Sequence, residues 1–429
     1  MRQPVIGFAG LTHLGLNSAV ATATKGFSVI GYHNDLELVA QLNDGNPHVS
    51  EPKLPELMKL HRKRLIFSAE LSCLASCDIV YISADVPTDK QGNSDLHPIK
   101  EMIDQISVAM DKNALLVILC QVPPGFTRTL SWPEEQLFYQ VETLIFGRAV
   151  ERAQYPERVI LGCADPAKPL KHALSDYLEA FNCPLIPMRY ESAELAKISI
   201  NMCLVASVST ANTLAEICEN IGADWSEIVP ALRLDKRIGQ YSYLKPGLGI
   251  AGGNLERDLT TVLKFSKKHQ TDGRVVSAWV NNSKHRKDWA WKTLNELVLK
   301  KQKQPKIAIL GLTYKENTHS LKNSPSIALI TKIQGHTIKA YDPVAGDNAA
   351  NQSITRVPSA ISALEKAEVL LVMTPWPEFV SIKSEDIEKS MKGRIVIDPY
   401  RILDGKELVD RGFIYATLGE PVRQPIRRT

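Results

Sequence analysis

Apolar residues in the first half of the chain fall in short runs separated by amphipathic stretches. Val5–Ala9, Ser28–Tyr32, Ile79–Ser83 and Ala114–Cys120 are rich in Val, Ile and Leu and bounded by turn residues, which predicts strands. Between them, Leu36–Leu42 and Pro98–Met110 carry helical spacing. Strand–helix alternation of this kind predicts a parallel sheet covered on both faces. The middle differs. From Ser192 to Ile221 there is neither Gly nor Pro, and apolar residues recur at helical spacing, so a long helix is expected, stopped at Gly222. A Gly-rich, loop-like passage, Leu244–Gly253, follows. Mostly helical sequence then runs from Asn254 to Val298, interrupted at Asp272-Gly273. The basic, polar stretch Lys300–Pro305 is the clearest linker. Alternation resumes after it, with strands expected at Lys306–Leu310, Thr337–Tyr341, Val369–Thr374 and Gly393–Asp398. The pattern divides the chain into an α/β domain over 1–190, a helical region over 191–300 and a second α/β domain over 301–429.

Composition narrows the class without naming a function. Hydrophobic residues make up 44% and charged residues 23% of the 429, as in ordinary globular proteins. A net charge of +4 is small beside 51 basic and 47 acidic side chains, and argues against a nucleic-acid or membrane-surface partner. An uninterrupted apolar run long enough to span a bilayer is lacking, and the N-terminus does not read as a signal peptide. The seven scattered cysteines suggest reduced thiols and a cytoplasmic location. Cys73 and Cys77 can share a helix face but have no His or Cys pair nearby, so small buried residues is the plainer reading and no metal is expected.

The first strand runs into Gly10-Leu11-Thr12-His13-Leu14-Gly15, a G-x-G-x-x-G turn with Thr12 in place of the middle glycine. A strand before it, a helix after it and a second strand about twenty residues on are the context of a dinucleotide-binding turn. The helix N-terminus favours the pyrophosphate. Thr12 either hydrogen-bonds a phosphate through its hydroxyl or crowds it with its methyl. The end of the second strand should carry an acid for the adenosine ribose. That position holds His33; Asp35 comes two residues later and serves equally well as a helix cap. NAD is the expected cofactor, with NADP left open.

Ala193-Glu194-Leu195-Ala196-Lys197 with Asn201, Leu42-Asn43-Asp44-Gly45 before Glu51-Pro52, and Val122-Pro123-Pro124-Gly125 with Thr127-Arg128 bring in a resemblance. Further along stand Arg237-Ile238-Gly239, Pro246-Gly247-Leu248-Gly249, Gly252, Gly311-Leu312-Thr313-Tyr314-Lys315, Ser324-Pro325 and Ala340-Tyr341-Asp342-Pro343. In this order, over nearly its whole length, the chain resembles the UDP-glucose/GDP-mannose dehydrogenase family. The resemblance implies two Rossmann-like doubly wound domains joined by a long helix that dimerises. It implies oxidation of the 6-hydroxymethyl group of a nucleotide sugar by two NAD, in the service of polysaccharide precursors.

It also implies roles. Lys197 would stabilise negative charge on the reacting oxygen, with Asn201 one helical turn on. Asp258 would help hold that lysine and a water. Glu142 would act as a base in the hydrolytic step, although the second family glutamate of its segment is Phe146 here. Gly10, Thr12, His13, Leu14, Gly15, His33, Asp35, Pro87 and Gln121 would meet the cofactor. Arg237 would reach the sugar nucleotide of a neighbouring subunit. Tyr243, Leu244, Gly249 and Gly252 would lie along the nucleotide, with Lys315 and Arg401 as phosphate candidates.

Some positions depart from the family. The ungapped spacing from Pro246 to Asp258 puts the family's nucleophilic cysteine at Asn254. A thiolate there would add to the aldehyde, and the resulting thiohemiacetal would yield the second hydride and a thioester for hydrolysis. An amide does none of this. Gln121 replaces a threonine, and Lys322 stands where an arginine closes an Asp-rich stretch. Cys120 is a conceivable substitute nucleophile, but a buried strand residue is the plainer reading. Two functions stay open: oxidation of a nucleotide sugar, stopping at the aldehyde or its hydrate, and a non-catalytic homologue that binds a nucleotide sugar in a regulatory or complex subunit.

Overall fold

A computed structural model describes residues 2–89, 92–345 and 354–426. The chain divides into two compact units, 1–200 and 201–429, and the boundary falls inside one long helix.

The first unit is built on eight strands: β1 (Val5–Ala9), β2 (Ser28–Tyr32), β3 (Leu65–Ser68), β4 (Ile79–Ile82), β5 (Leu115–Ile118), β6 (Leu137–Gln140), β7 (Val159–Cys163) and β8 (Leu185–Arg189). Their order in the sheet is β3-β2-β1-β4-β5-β6-β7-β8, parallel throughout except where β6 meets β7. Successive side chains point to opposite faces. On β5, Leu115 and Val117 enter one apolar core while Leu116 and Ile118 enter the other. Both faces are therefore buried, which is why these strands read as unbroken apolar runs. Helix α1 (His13–Thr24) follows β1, and α2 (Leu36–Asn43) follows β2.

From β8 the chain enters α3 (Tyr190–Ile221), which ends at Gly222 with φ +83°. In the second unit come α4 (Trp225–Leu234), α5 (Asn254–His269) and α6 (Arg274–Lys287). A six-stranded parallel sheet follows: β9 (Lys306–Leu310), β10 (Thr337–Tyr341), β11 (Thr355–Arg356), β12 (Val369–Val372), β13 (Ile395–Ile397) and β14 (Ile414–Ala416). Its order is β11-β10-β9-β12-β13-β14, and α7 (Pro325–Lys332) lies between β9 and β10 in sequence. Ile307 and Ile309 of β9 face one core and Ala308 and Leu310 the other. Each sheet thus has its chain reversal beside its first strand, between β1 and β4 and between β9 and β12, where ligands gather in folds of this class.

Candidate active site

In the first unit, Gly10 has φ +89°, and a Cβ there would lie 2.6 Å from Cβ of Ala84 and 2.7 Å from its backbone nitrogen. A Cβ on Gly15 would lie 1.9 Å from the carbonyl oxygen of Gly10. Both glycines are therefore demanded by the turn itself. The Thr12 hydroxyl also donates to Ser83 O at 3.3 Å and accepts from Asp85 N at 3.2 Å, which ties the turn to the loop after β4. Beyond it, α1 starts at His13, and the amides of a first helical turn have no intrahelical acceptor. A tight glycine turn opening directly into such a helix fits a pyrophosphate, so Gly10, Thr12, His13, Leu14 and Gly15 are the residues that would hold NAD here.

The residues at the end of β2 take different places. Asp35 is the N-cap of α2: its carboxylate accepts from Glu37 N at 2.9 Å and Leu38 N at 3.1 Å. The helix-cap role left open for Asp35 is thus the one the geometry shows. His33 is half-buried next to the turn, since Gly10 N donates to Tyr32 O at 3.0 Å. Its Nδ1 accepts from Asp35 N at 3.1 Å. Burial holds its pKa below the ordinary value, against the pull of Asp35. Pro87 is exposed in the loop after β4, and Gln121 is half-buried three residues beyond β5.

Sequence reasoning gave Glu51 no role. It is buried and accepts from His13 Nε2 at 2.7 Å, Gly147 N at 2.8 Å and Ala149 N at 3.1 Å. Burial alone would raise its pKa, but those three hydrogen bonds hold the carboxyl below its usual range. The Phe146 ring lies 4.1 Å from the His13 ring, so the residue replacing the family glutamate covers the start of α1. Glu194 was also missed. It is buried at the start of α3 and accepts from Thr127 N at 2.8 Å and from Gly125 N, which anchors the loop after β5. Burial pushes its pKa up.

One turn further along α3, Lys197 is buried, with Nζ 3.3 Å from Glu142 Oε2. The other oxygen of Glu142 accepts from Leu144 N. The structure therefore gives Lys197 a carboxylate partner from its own unit. Cys120 is fully buried in the apolar core, which removes it as a substitute nucleophile.

In the second unit, Asn201 Nδ2 donates to Asp258 Oδ2, and both side chains are buried. Asn254 is exposed and is the first residue of α5. Two glycines with positive φ precede it, Gly252 at +92° and Gly253 at +105°. A Cβ on Gly252 would strike the Tyr314 ring at 2.5 Å, and one on Gly253 would lie 3.2 Å from Lys322 Nζ. The Lys322 side chain thus lies against Gly253, the residue before Asn254, a proximity that spacing along the chain does not disclose. Gly249, at φ +78°, packs against the backbone of Ser283.

The remaining substrate candidates diverge. Arg237 is exposed, with its fork on Asp235. Tyr243 is exposed, while Leu244 is buried and its carbonyl accepts from Trp225 Nε1 at 2.7 Å. Lys315 Nζ lies 5.9 Å from the centre of the Tyr314 ring. Arg401, expected on a phosphate, has its guanidinium on Asp224 at 2.8 Å, Glu420 at 2.5 Å and Ser226 at 2.6 Å. A fork filled by two carboxylates is a structural clamp, and the phosphate assignment for Arg401 is withdrawn.

Comparison with known proteins places the chain as a whole. Residues 4–177 match the NAD binding domain of the UDP-glucose/GDP-mannose dehydrogenase family, residues 191–284 its central domain and residues 308–405 its UDP binding domain. The UDP-glucose 6-dehydrogenase of Rickettsia bellii (strain RML369-C) is 29% identical over 97% of this chain and 100% of its own length. That of Bacillus subtilis (strain 168) is 27% identical over 97% of this chain and 93% of its own. Among solved structures, a UDP-glucose dehydrogenase from Pyrobaculum islandicum superposes with a TM-score of 0.84 at 24% identity, covering 98% of both chains. A UDP-D-ManNAc dehydrogenase from Pyrococcus horikoshii gives 0.83 at 23% identity, over 97% of this chain and 99% of the other. These two show the fold. With its three domains matched in order, the chain belongs to the UDP-glucose/GDP-mannose dehydrogenase family.

Proposed function

We propose that this protein oxidises the 6-hydroxymethyl group of a nucleotide sugar, UDP-glucose or a close relative, and releases the aldehyde or its hydrate. NAD supplies the hydride acceptor. The chain's own residues supply the rest. The Lys197 ammonium, held by Glu142 and desolvated, stabilises the alkoxide that forms as hydride departs. Glu142 is the carboxylate next to that ammonium and takes the hydroxyl proton. Asn201, one turn along α3, is locked in orientation by Asp258 and offers its amide as a fixed hydrogen-bonding group.

Asn254 carries the reading. It stands at the helix start where the family places a cysteine, and an amide forms no thiohemiacetal, so the covalent route to the second oxidation is closed. The test is stoichiometry: NADH formed per UDP-glucose consumed with limiting sugar and excess NAD, then with other nucleotide sugars. One NADH is the expected result, and Asn254→Cys should raise the yield of carboxylate. Two NADH in the unmodified protein would defeat the aldehyde stop. Tight binding without turnover across the panel would replace the enzyme by a nucleotide-sugar-binding homologue, which Asn254 also favours.

We infer further that α3 pairs two copies of the chain. Leu214, Ile217 and Ile221 are exposed along it at i, i+3, i+7 spacing, and Leu195 is exposed nearer its start. By length and composition alone the helix could also cross a bilayer, but its buried Glu194, Lys197 and Asn201 fit a protein interior. Sedimentation at micromolar concentration should show a dimer, and a monomer would contradict it.

A further inference from the structure

The adenosine end of the dinucleotide site has an unusual chemical character. In this fold the residue after the second strand normally offers a carboxylate, which accepts a hydrogen bond from the ribose 2′-hydroxyl and repels a 2′-phosphate. Here the residue is His33. The neighbouring acids are committed elsewhere: Asp35 caps α2, and Glu51 is held by His13 and two backbone amides.

The backbone also fixes which nitrogen of His33 carries the proton. Nδ1 accepts from Asp35 N at 3.1 Å, so in the neutral ring the hydrogen sits on Nε2. A side chain with a donor on its remaining nitrogen thus stands where the fold normally has an acceptor. Partial burial, and after it the proximity of His33 and His13, disfavours protonation of His48. The ribose end is therefore bordered by imidazoles.

We propose that His33 makes this site accept a 2′-phosphorylated dinucleotide, so that the protein binds NADP(H) alongside NAD(H). The Nε2 donor suits a phosphate oxygen, and it also suits the oxygen of a free 2′-hydroxyl, so neither cofactor is refused. A carboxylate at this position would discriminate by charge; an imidazole does not. His33 is a specificity-determining residue in this account. The inference rests on the reading of the first unit as a dinucleotide site.

Fluorescence titration of the full-length chain with NADH and with NADPH tests it without reference to turnover. The two dissociation constants are expected within about tenfold of each other. NADPH weaker than NADH by more than about 100-fold overturns the proposal. His33→Asp should move the ratio by at least about tenfold toward NADH, and a folded variant with an unchanged ratio overturns the assignment to His33. A measurement on the unmodified chain guards against a variant that does not fold: 2′,5′-ADP should displace NADH more effectively than 5′-AMP, and equal or poorer displacement counts against the proposal. Failure to bind either dinucleotide overturns the underlying reading, whereas tight NADH binding with NADPH refused overturns only this proposal.

Discussion

The two sheets of this protein share a plan and differ in what they do with one residue. Each has six strands in the order 3-2-1-4-5-6, with the first sheet extended by β7 and β8. Each has a positive-φ glycine after its first strand, Gly10 and Gly311, pressed against the end of the neighbouring strand at Ala84 and Thr374. The residue after the second strand then separates them. In the first unit the His33 ring accepts from Asp35 N through Nδ1, and the turn runs straight into α1. In the second, Asp342 folds back into the turn. Its carboxylate accepts from Leu312 N at 2.7 Å, Thr313 N at 3.0 Å, Val344 N at 3.0 Å and Ala345 N at 2.9 Å, and also from the Thr313 hydroxyl and Trp376 Nε1. Amides that a pyrophosphate would need are already used by the chain's own carboxylate. The fold alone therefore does not decide what a glycine turn binds; the occupant of its amides does.

Asp342→Ala is the strongest way to break this contrast. Removing the shared acceptor strands several buried donors and should cost roughly 3–5 kcal/mol in urea unfolding. His33→Ala, at the matching place in the first unit, should cost less than about 1 kcal/mol, since a single hydrogen bond is lost at a half-buried site. Equal losses would mean that the two positions do the same work. The glycines sharpen it next. Gly10→Ala and Gly311→Ala should each destabilise by roughly 2–3 kcal/mol, because both the backbone angle and the space are refused. Calorimetric titration should show that only Gly10→Ala weakens NADH binding, by more than about tenfold. A matching loss in Gly311→Ala would put a dinucleotide in the second sheet.

The smallest effect concerns the Arg401 clamp. Burial works to raise the Asp224 pKa, yet its hydrogen bonds to Arg401 and Ser226 lower it from 3.8 to about 2. A depressed carboxylate stabilises the fold above its unfolded pKa, and that contribution fades as pH falls through the folded value. Stability should therefore drop from near pH 4 toward pH 2, by about 1–2 kcal/mol after allowance for partial exposure. Arg401→Ala should remove that part of the acid transition, and acid titrations of the two proteins followed by circular dichroism check it.

Strand placement was legible for several strands that carry continuous apolar runs, although β7, buried at every position, was not marked. Val5–Ala9, Ser28–Tyr32, Lys306–Leu310 and Thr337–Tyr341 begin and end as their apolar runs do. β8 was not marked either: it is an edge strand, mostly exposed, and Pro187 interrupts its short apolar run. α4 was hidden by Pro230 in its interior. In the site, residues one helical turn apart were readable from spacing, as with Lys197 and Asn201. Partners far apart in sequence were not: Asp224 lies 177 residues from Arg401, and Glu51 lies 96 from Gly147. Whether Asp35 caps a helix or meets a ribose depends on the direction of its side chain, which the one-dimensional pattern does not carry.

The exposed face of α3 also carries a reactive handle. Of the seven thiols, Cys203 alone is exposed, while Cys77, for example, is buried with its pKa pushed up to about 12. Thiolate fraction and access together govern alkylation, so a maleimide should modify Cys203 first. Because that sulfur shares a helix with the apolar side chains proposed to pair, its labelling rate becomes a footprint of assembly, fast in dilute protein and slowed as copies associate.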